Sequence, residues 1–392
     1  MRVAVVTESF LPRVNGVSGS VCRVVELLTA AGHEVLVVAP GPGPDRYDGA
    51  PLRLVPSLRL PFDSTFPIGL PSPRVTAWLH DFAPDVVHLA SPVVLGAAGA
   101  VAARTLGVPS VAVFQTDVAG FARRHGLGAT TGAVWAWLRR VHELADRTLA
   151  PSPSAVDALL AHGVPRVHLW PRGVDLARFA PEHRSPALRR ALAPDGEVLV
   201  GYVGRLAREK QVERLACLAD LPGVRLVVVG AGPQEPALRR RLPGAAFLGF
   251  QTGAALSRAF ASLDVFVHTG TAETFCQTVQ EAMACGLPVV APAVGGPADL
   301  VLPGRTGLLH PPADLGGLRA AVALLAGDRE LRGRMGAAGR VAVADRAWPG
   351  VGAALLAHYR AVQHPFLADP PLPDALRLPT GGGGVPAAAP VR

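Results

Sequence analysis

The chain has 392 residues, of which 49% are hydrophobic and 17% are charged, so its length favours two domains and its composition excludes a largely disordered protein. Its net charge of +8 favours anionic partners, such as nucleotide phosphates, nucleic acid or an acidic lipid surface, without choosing among them. The four cysteines form no C-x-x-C pair and have no histidines at metal spacing, so the sequence indicates neither a disulfide framework nor a zinc site.

The start of the chain and its apolar runs bear on its location. Val3 to Val6 fit a first strand rather than the apolar part of a secretory signal. The best apolar run, 86–103, contains His88, Ser91 and Pro92 and does not fit a membrane span. These features, with the cysteine pattern, predict a cytoplasmic protein.

Short Val-rich runs alternate with helical segments in both halves of the chain, which is typical of parallel sheets built from β-α-β units. The strands predicted in the first half are 3–7, 35–39, 53–55, 86–89, 111–115 and 148–150. Those in the second half are 198–203, 225–229, 246–248, 265–268, 289–291 and 307–309. The sequence therefore predicts an α/β fold with two similar sheets.

The segment between these two sets of strands contains Pro171, Gly173 and Pro181, which predict a hinge with a cleft beside it. We accordingly predict an N-terminal domain over 1–170 and a C-terminal domain over 171–346. Apolar residues at helical spacing over 347–363 predict a terminal helix that crosses back onto a domain. Residues 365–392 are rich in Pro and Gly and predict a disordered tail.

The most specific local pattern is a pair of carboxylates, Glu273 and Glu281, after the strand that ends near Thr269. At about 3.6 residues per turn, Glu281 lies about two turns into the following helix and faces the same cleft as Glu273. The backbone N–H groups of 275–277 open that helix and can attract an anion or sugar oxygens. The alternative is one glutamate that caps the helix and one that is solvated.

A second cluster follows the first strand of the second half, where Gly204 precedes Arg205 and Lys210. The guanidinium group can bind two oxygens of a diphosphate while the ammonium group adds a point charge. Cations at this position would stabilise the negative charge that develops on a departing phosphate. The alternative is a set of surface charges beside a helix.

A third cluster, Asn15 and Gly16, lies in a loop that leads from the first strand into a helix beginning near Ser18. Glycine allows a close approach of the backbone to a phosphate. The loop is not G-x-G-x-x-G and no acidic residue ends the next strand at Ala39, so the pattern disfavours a dinucleotide-dependent oxidoreductase.

Together these residues resemble retaining glycosyltransferase family 4, over about residues 1–363. The motifs that carry the resemblance occur in the family's order and are Asn15-Gly16, the 172–175 segment Arg-Gly-Val-Asp, Arg205 with Lys210, and Glu273 with Glu281. The resemblance implies the GT-B fold, in which two Rossmann-like domains face each other across a cleft.

The resemblance also implies roles for these residues. Arg205 and Lys210 would hold the diphosphate, and Glu281 the ribose. Glu273 would hold the donor sugar. The remaining donor contacts that it implies are Gly16 at the distal phosphate, the backbone of Phe275, Cys276 and Gln277 at the sugar, and the segment from Phe250 to Leu256 at the base.

No catalytic metal or other cofactor is expected, because the chain contains no D-x-D and the resemblance implies that Arg, Lys and a helix N-terminus replace an ion. One departure concerns Asp117, which stands where many family members carry a histidine, after the strand predicted to end at Gln115. Its carboxylate could assist at the acceptor or donor sugar, or it could cap the next helix.

The sequences of segments 115–120 and 273–281 are most similar to those of bacterial GDP-mannose-dependent α-mannosyltransferases with lipid-linked or glycolipid acceptors. This similarity implies transfer of mannose with retention, with the leaving phosphate accepting the acceptor's proton. A basic, aromatic face that could visit an anionic membrane consists of Arg123, Arg124, Trp135, Trp137, Arg139 and Arg140. The alternative is that both tryptophans pack in a core.

Three other functions stay open from the sequence: a glycosyltransferase that uses UDP-glucose or UDP-GlcNAc, a GT-B-like UDP-sugar 2-epimerase, and a non-catalytic nucleotide-sugar binding protein. A nucleic-acid partner is disfavoured, because the chain has no zinc-finger spacing, no aromatic RNA-binding signature and no confined basic tail.

Overall fold

The computed structural model describes residues 1–13, 15–60, 63–124, 126 and 128–364. The predicted tail, 365–392, lies outside this part of the chain. The strands of the first half are β1 (Arg2–Thr7), β2 (Glu34–Pro40), β3 (Arg46–Tyr47), β4 (Ala50–Val55), β5 (Ser57–Leu60), β6 (Asp63–Gly69), β7 (Val86–Ala90), β8 (Ser110–Val113), β9 (Arg147–Ala150) and β10 (Val167–Leu169). Its helices are α1 (Gly16–Ala30), α2 (Arg74–Phe82), α3 (Leu95–Leu106), α4 (Val118–Arg124), α5 (Thr131–Leu144) and α6 (Pro153–Ala161).

Eight of these strands form one sheet in the order β10-β9-β8-β7-β1-β2-β4-β3. Only β3 pairs antiparallel to its neighbour, and β5 and β6 form a separate hairpin. The central strand β1 is covered on both faces, since Val3, Ala4, Val5 and Val6 are fully buried. Burial on both faces explains why β1 is a continuous apolar run rather than an alternating one.

The second half begins a new sheet. Its strands are β11 (Val198–Val203), β12 (Val224–Val229), β13 (Ala246–Gly249), β14 (Val265–Val267), β15 (Val289–Pro292) and β16 (Gly307–His310). Its helices are α7 (Pro186–Leu192), α8 (Glu235–Arg241), α9 (Gly253–Ala261), α10 (Gln277–Ala284), α11 (Gly295–Leu300), α12 (Leu315–Gly327), α13 (Arg329–Val343) and α14 (Trp348–Gln363). Short 3-10 helices lie at Gly128–Thr130, Pro181–His183, Arg208–Lys210 and Val212–Leu218.

The second sheet has the order β13-β12-β11-β14-β15-β16, and every neighbouring pair is parallel. The prediction of an α/β fold with two parallel sheets is confirmed. Strands β3, β5, β6 and β10 were not predicted, because none of them is a continuous apolar run and β3, β5 and β10 are also short. Strand β8 ends at Val113 rather than at Gln115, so the last two residues of that predicted strand belong to the loop beyond the sheet.

The last helix, α14, packs against the first sheet although it follows the second in sequence. Val351, Leu355 and Tyr359 share a buried cluster with Val3 and Val5 of β1. The limits of the predicted domains stay predictions. None of the described helices is long and apolar enough to cross a membrane, and the cytoplasmic location stays a prediction.

The two sheets meet at the carboxyl ends of their strands. The loop after β14 contacts the loop after β8, where the Thr274 hydroxyl donates a hydrogen bond to the Gln115 carbonyl oxygen at 3.1 Å. Helices α6 and α11 also touch, since the Ser154 hydroxyl donates to Asp299 Oδ2 at 2.5 Å. In open parallel sheets, ligands bind beyond the carboxyl ends of the strands, so this junction is the place to look for a site.

Candidate active site

The centre of the junction is a cluster of Glu273, Lys210 and His268. Strand β14 ends at Val267, which places His268 directly at the carboxyl edge of the second sheet. Lys210 Nζ donates a hydrogen bond to Glu273 Oε1 at 2.5 Å, and His268 Nε2 lies 3.3 Å from the same oxygen. The structure therefore joins two predicted site residues, 63 positions apart, through one carboxylate oxygen.

The charges in this cluster compensate for its burial. Burial alone would raise the pKa of Glu273, yet Lys210 and His268 hold that pKa well below its usual value. Burial would lower the pKa of His268, and the neighbouring Cys276 and Glu273 instead raise it to about 9. The pKa of Lys210 is also raised, because Glu273 outweighs its burial. Glu273 is thus an ionised carboxylate with two cationic neighbours.

The turn after β11 presents the other predicted cation. Arg205 pairs with Glu209 four residues on, and its side chain is 40% exposed. Gly204 lies beneath this turn, where a Cβ atom would come within 2.8 Å of the Tyr202 hydroxyl oxygen. That hydroxyl donates a hydrogen bond to the Arg205 carbonyl oxygen at 3.1 Å. Close packing of the Tyr202 side chain against Gly204 therefore explains the glycine, and the hydroxyl hydrogen bond holds the turn.

Helix α10 begins at Gln277, with Cys276 at the N-cap in the left-handed region at φ 78°. The first N–H groups of a helix have no partner within it, so the donors of α10 begin at its N-terminal turn with Gln277. Phe275 lies in the loop before the helix and Cys276 caps it, rather than both opening it as the sequence predicted. The first turn of α11 supports this loop, because the Gly296 N–H donates to the Glu273 carbonyl oxygen at 2.9 Å.

Glu281 lies further along α10. Burial raises its pKa to about 8, against the opposing charge of Arg178 and a hydrogen bond with Gln277. Glu273 and Glu281 are therefore held in opposite electrostatic environments, one ionised and the other close to neutral at physiological pH. Ribose hydroxyls can donate hydrogen bonds to such a carboxyl group.

The side chains of two glutamines of α10 hold the segment predicted as the hinge; the sequence predicted a role only for the backbone of Gln277 and none for Gln280. Gln277 Nε2 donates to the Gly173 carbonyl oxygen at 2.9 Å, and Gln280 Nε2 donates to that of Arg172 at 3.0 Å. Burial lowers the pKa of Arg172 to about 10. Helix α10 and the segment that connects the two sheets are therefore linked directly by hydrogen bonds. The signal in the sequence was the spacing of the two glutamines, which lie three residues apart and so share one face of α10.

In the first half, the Asn15 side chain is engaged in capping α1. Its Oδ1 accepts hydrogen bonds from the Val17 and Ser18 N–H groups, both at 3.0 Å, and its Nδ2 donates to Ser9 Oγ at 2.8 Å. Helix α1 begins at Gly16, two residues before the predicted start, because this cap closes its first turn. A Cβ atom at Gly16 would meet no atom within 4 Å, so its backbone borders open space.

Asp117 also acts as a helix cap, since its Oδ1 accepts a hydrogen bond from the Gly120 N–H at 2.7 Å at the start of α4. Gln115, two residues before it, is 8% exposed. Neither atom of its side-chain amide has a hydrogen-bond partner among the described residues. Phe250, predicted near the base, is 60% exposed just after β13. Any catalytic role of Asp117 stays a prediction.

The predicted basic, aromatic face divides into two parts. Trp135 packs, with its ring 3.8 Å from that of His162 and stacked against it. Trp137 is 49% exposed and donates its indole N–H to the Val93 carbonyl oxygen at 2.7 Å. Arg139 and Arg140 are exposed beside it on α5, while the side chains of 123 and 124 lie outside the described residues.

Two parallel α/β sheets, a junction at their carboxyl ends, and cations beside a buried carboxylate define the class of a nucleotide-sugar transferase. The sequence matches the family described as Glycosyltransferase Family 4 over residues 14–178 and that described as Glycosyl transferases group 1 over residues 185–342. The chain therefore belongs to the family 4 glycosyltransferases and is a glycosyltransferase.

Individual relatives agree with this assignment. A GDP-mannose-dependent alpha-mannosyltransferase of Mycolicibacterium smegmatis is 55% identical over 92% of this chain and 98% of its own. One of Mycobacterium tuberculosis is 53% identical over 93% of this chain and 97% of its own. The structure of the Anabaena protein HepE in complex with UDP has a TM-score of 0.76 at 19% identity and covers 92% of this chain and 100% of that one. The GT-B fold expected from the sequence is confirmed.

Proposed function

We propose that this glycosyltransferase transfers mannose from GDP-mannose to an acceptor hydroxyl with retention of configuration. The observation that carries the proposal is the Lys210–Glu273 hydrogen bond at the junction of the two sheets. It holds an ionised carboxylate and a cation at the carboxyl ends of β11 and β14, where a sugar diphosphate would place its sugar and phosphates. The relatives above favour GDP-mannose over a UDP-sugar.

The proposed chemistry divides between sugar and phosphate. Glu273 and the 275–277 backbone orient the mannose, while Lys210 and Arg205 stabilise the charge on the departing diphosphate. The leaving phosphate accepts the proton of the acceptor hydroxyl, so the step needs no dedicated side-chain base. Glu281 holds the ribose, and the backbone at Gly16 borders the distal phosphate.

We further propose that the reaction needs no metal ion. Lys210, Arg205 and the first turn of α10 supply the positive charge that an ion would otherwise provide to the diphosphate. Transfer should then proceed unchanged in EDTA.

The proposed acceptor is a lipid or glycolipid. The enzyme is proposed to act at the surface of an anionic membrane. Trp137 supports this, because an exposed indole flanked by Arg139 and Arg140 suits the interface of an anionic bilayer. Sedimentation with vesicles of anionic and of neutral lipid tests the contact. Trp137→Ala should reduce sedimentation with anionic vesicles, and equal sedimentation of the variant and the parent would contradict the contact.

Calorimetric titration with GDP-mannose, UDP-glucose and UDP-GlcNAc tests the donor. We expect GDP-mannose binding in EDTA and its loss in Lys210→Ala. The matched control is Lys210→Arg, which keeps the charge and should retain part of the affinity. A preference for a UDP-sugar would overturn the donor, and no binding of any nucleotide sugar would overturn the site.

A further inference from the structure

Three different metal-ligating side chains converge beside the proposed sugar position. The ligand atoms of His268, Glu273 and Cys276 all lie within 4.8 Å of one another. They come from the end of β14, the following loop and the N-cap of α10, so their sequence spacing is not that of a zinc motif. The fold therefore assembles a nitrogen, an oxygen and a sulfur ligand that the sequence analysis did not connect.

The histidine points independently to a missing partner. His268 is 2% exposed; its Nε2 lies 3.3 Å from Glu273 Oε1 without hydrogen-bond geometry, and its Nδ1 has no hydrogen-bond partner among the described residues. A buried polar group without a partner carries a free-energy cost. A cation shared with Cys276, which is 6% exposed, would give one ring nitrogen of His268 a bonding partner.

We propose that His268, Glu273 and Cys276 form a binding site for a thiophilic divalent cation of the zinc class, and that the bound cation excludes the donor sugar. Zinc accepts imidazole nitrogen, carboxylate oxygen and thiolate sulfur and prefers four ligands in a tetrahedron. Tetrahedral ligand atoms lie roughly 3.3 to 3.8 Å apart, so small side-chain movements complete the geometry. The Cys276 thiol and the His268 imidazolium each release a proton to solvent when their bonds to the metal form, and a water molecule takes the fourth position.

Lys210 opposes the cation. Its ammonium group already donates to Glu273 Oε1 at 2.5 Å and would have to move or share the carboxylate. The site is thus an inhibitory one in a transferase whose reaction needs no metal. Cation and donor compete for the Glu273 carboxylate, and this competition, unlike the binding itself, rests on the proposed function.

Cadmium titration of the reduced, metal-stripped full-length chain tests the proposal, because cadmium–thiolate bonds give an ultraviolet charge-transfer band. We expect the band to saturate at one cadmium ion per chain. Cys276→Ser should abolish the band, and His268→Asn should lower the cadmium affinity by more than about tenfold. Lys210→Ala should bind cadmium more tightly, since a repelling charge is removed. The matched control is Cys285→Ser at the other end of α10, which should keep the band.

An unchanged band in Cys276→Ser, or in His268→Asn should the first variant not fold, would overturn the site. GDP-mannose should suppress the band of the unaltered protein, and additive binding of both ligands would overturn the exclusion. Absence of GDP-mannose binding in calorimetry, with cadmium still held through Cys276, would contradict the proposed donor and leave the cation site standing.

Discussion

At the scale of single residues, burial and neighbouring charges set the ionisation states of two carboxyl groups in the candidate site. Glu273 lies in the loop before α10 and Glu281 lies in that helix. Glu273 is kept ionised by Lys210 and His268, whereas burial raises the pKa of Glu281 to about 8. Environments that separate two similar groups in this way are frequent at functional sites. Each group can be tested by replacing it with its uncharged amide.

Glu273→Gln should lower kcat/KM for mannosyl transfer by about two to three orders of magnitude, since the amide cannot pair with Lys210 or orient the sugar through a negative charge. Steady-state kinetics with GDP-mannose measures the change, and circular dichroism checks the fold. Glu330→Gln is the matched control, because Glu330 is 84% exposed on α13. Full activity in Glu273→Gln would remove this carboxylate from the mechanism.

Glu281→Gln should change the pH dependence of stability. The pKa of Glu281 rises from 4.5 to about 8 on folding, so the native state binds more protons than the unfolded chain within that window. The stability that this proton contributes is lost as pH rises toward 8, and glutamine does not share the loss.

Thermal unfolding measures this effect. The melting temperature of Glu281→Gln relative to the parent should increase between about pH 5 and about pH 9, whereas that of Glu330→Gln should not. A difference between Glu281→Gln and the parent that stays constant over this range would show that Glu281 titrates normally in the folded protein.

At the scale of elements, the loop from Glu273 to Cys276 depends on close backbone packing against the first turn of α11. A Cβ atom at Gly296 would lie 2.1 Å from the Phe275 carbonyl oxygen. The adjacent Gly295 adopts φ 61°, where its Cβ atom would lie 2.7 Å from the Glu273 carbonyl oxygen. The two glycines let α11 support the Glu273–Cys276 loop from behind.

Gly296→Ala should therefore displace that loop. We expect a loss of about 1–3 kcal/mol in the free energy of unfolding, as for overpacked interiors, and a fall in transferase activity. Denaturant unfolding and kinetics together measure it. Gly333→Ala is the matched control, because Gly333 has open space around it in α13, and alanine there should stabilise the helix by about 0.5–1 kcal/mol. Parent-like activity in Gly296→Ala would mean that the loop does not need this support.

At the scale of the whole molecule, the chain crosses between its two sheets twice, once near Gly173 and once before α14. The crossings are adjacent, since the Val174 N–H donates to the Arg346 carbonyl oxygen at 2.8 Å. Trp348, at the start of α14, lies against Gly173, where a Cβ atom would come within 2.5 Å of its ring. Two neighbouring connecting segments, rather than one, therefore flank the cleft.

Leu355→Ala tests the docking of α14. Leu355 is 1% exposed and packs in the cluster of the first sheet, so its truncation should cost about 2–5 kcal/mol of unfolding free energy. Leu324→Ala, on α12 with the side chain 52% exposed, should cost no more than about 0.5 kcal/mol. Denaturant unfolding followed by tryptophan fluorescence measures both, because Trp170 is buried in the same cluster. Equal losses in the two variants would contradict the docking of α14 on the first sheet.

The amino-acid sequence alone determined the two parallel sheets, because buried parallel strands require continuous Val-rich runs that stand out between glycine and proline. It also indicated Arg205, Lys210, Glu273 and Glu281, since their spacing places the two cations in the turn after β11 and the two carboxylates in the loop after β14 and the helix that follows it. The short edge strand β10 was not predicted, because its three half-buried residues show no periodic pattern of apolar side chains.

Only the tertiary structure decided which of these groups meet. Lys210 and Glu273 come from loops after different strands, and their hydrogen bond depends on β11 and β14 being neighbours in the sheet. The capping roles of Asn15 and Asp117, the grip of Gln277 and Gln280 on the crossing, and the convergence of His268 with Cys276 likewise depend on backbone positions that residue spacing does not contain. Sequence patterns report burial and local propensity, whereas contacts between distant residues follow from strand order and packing.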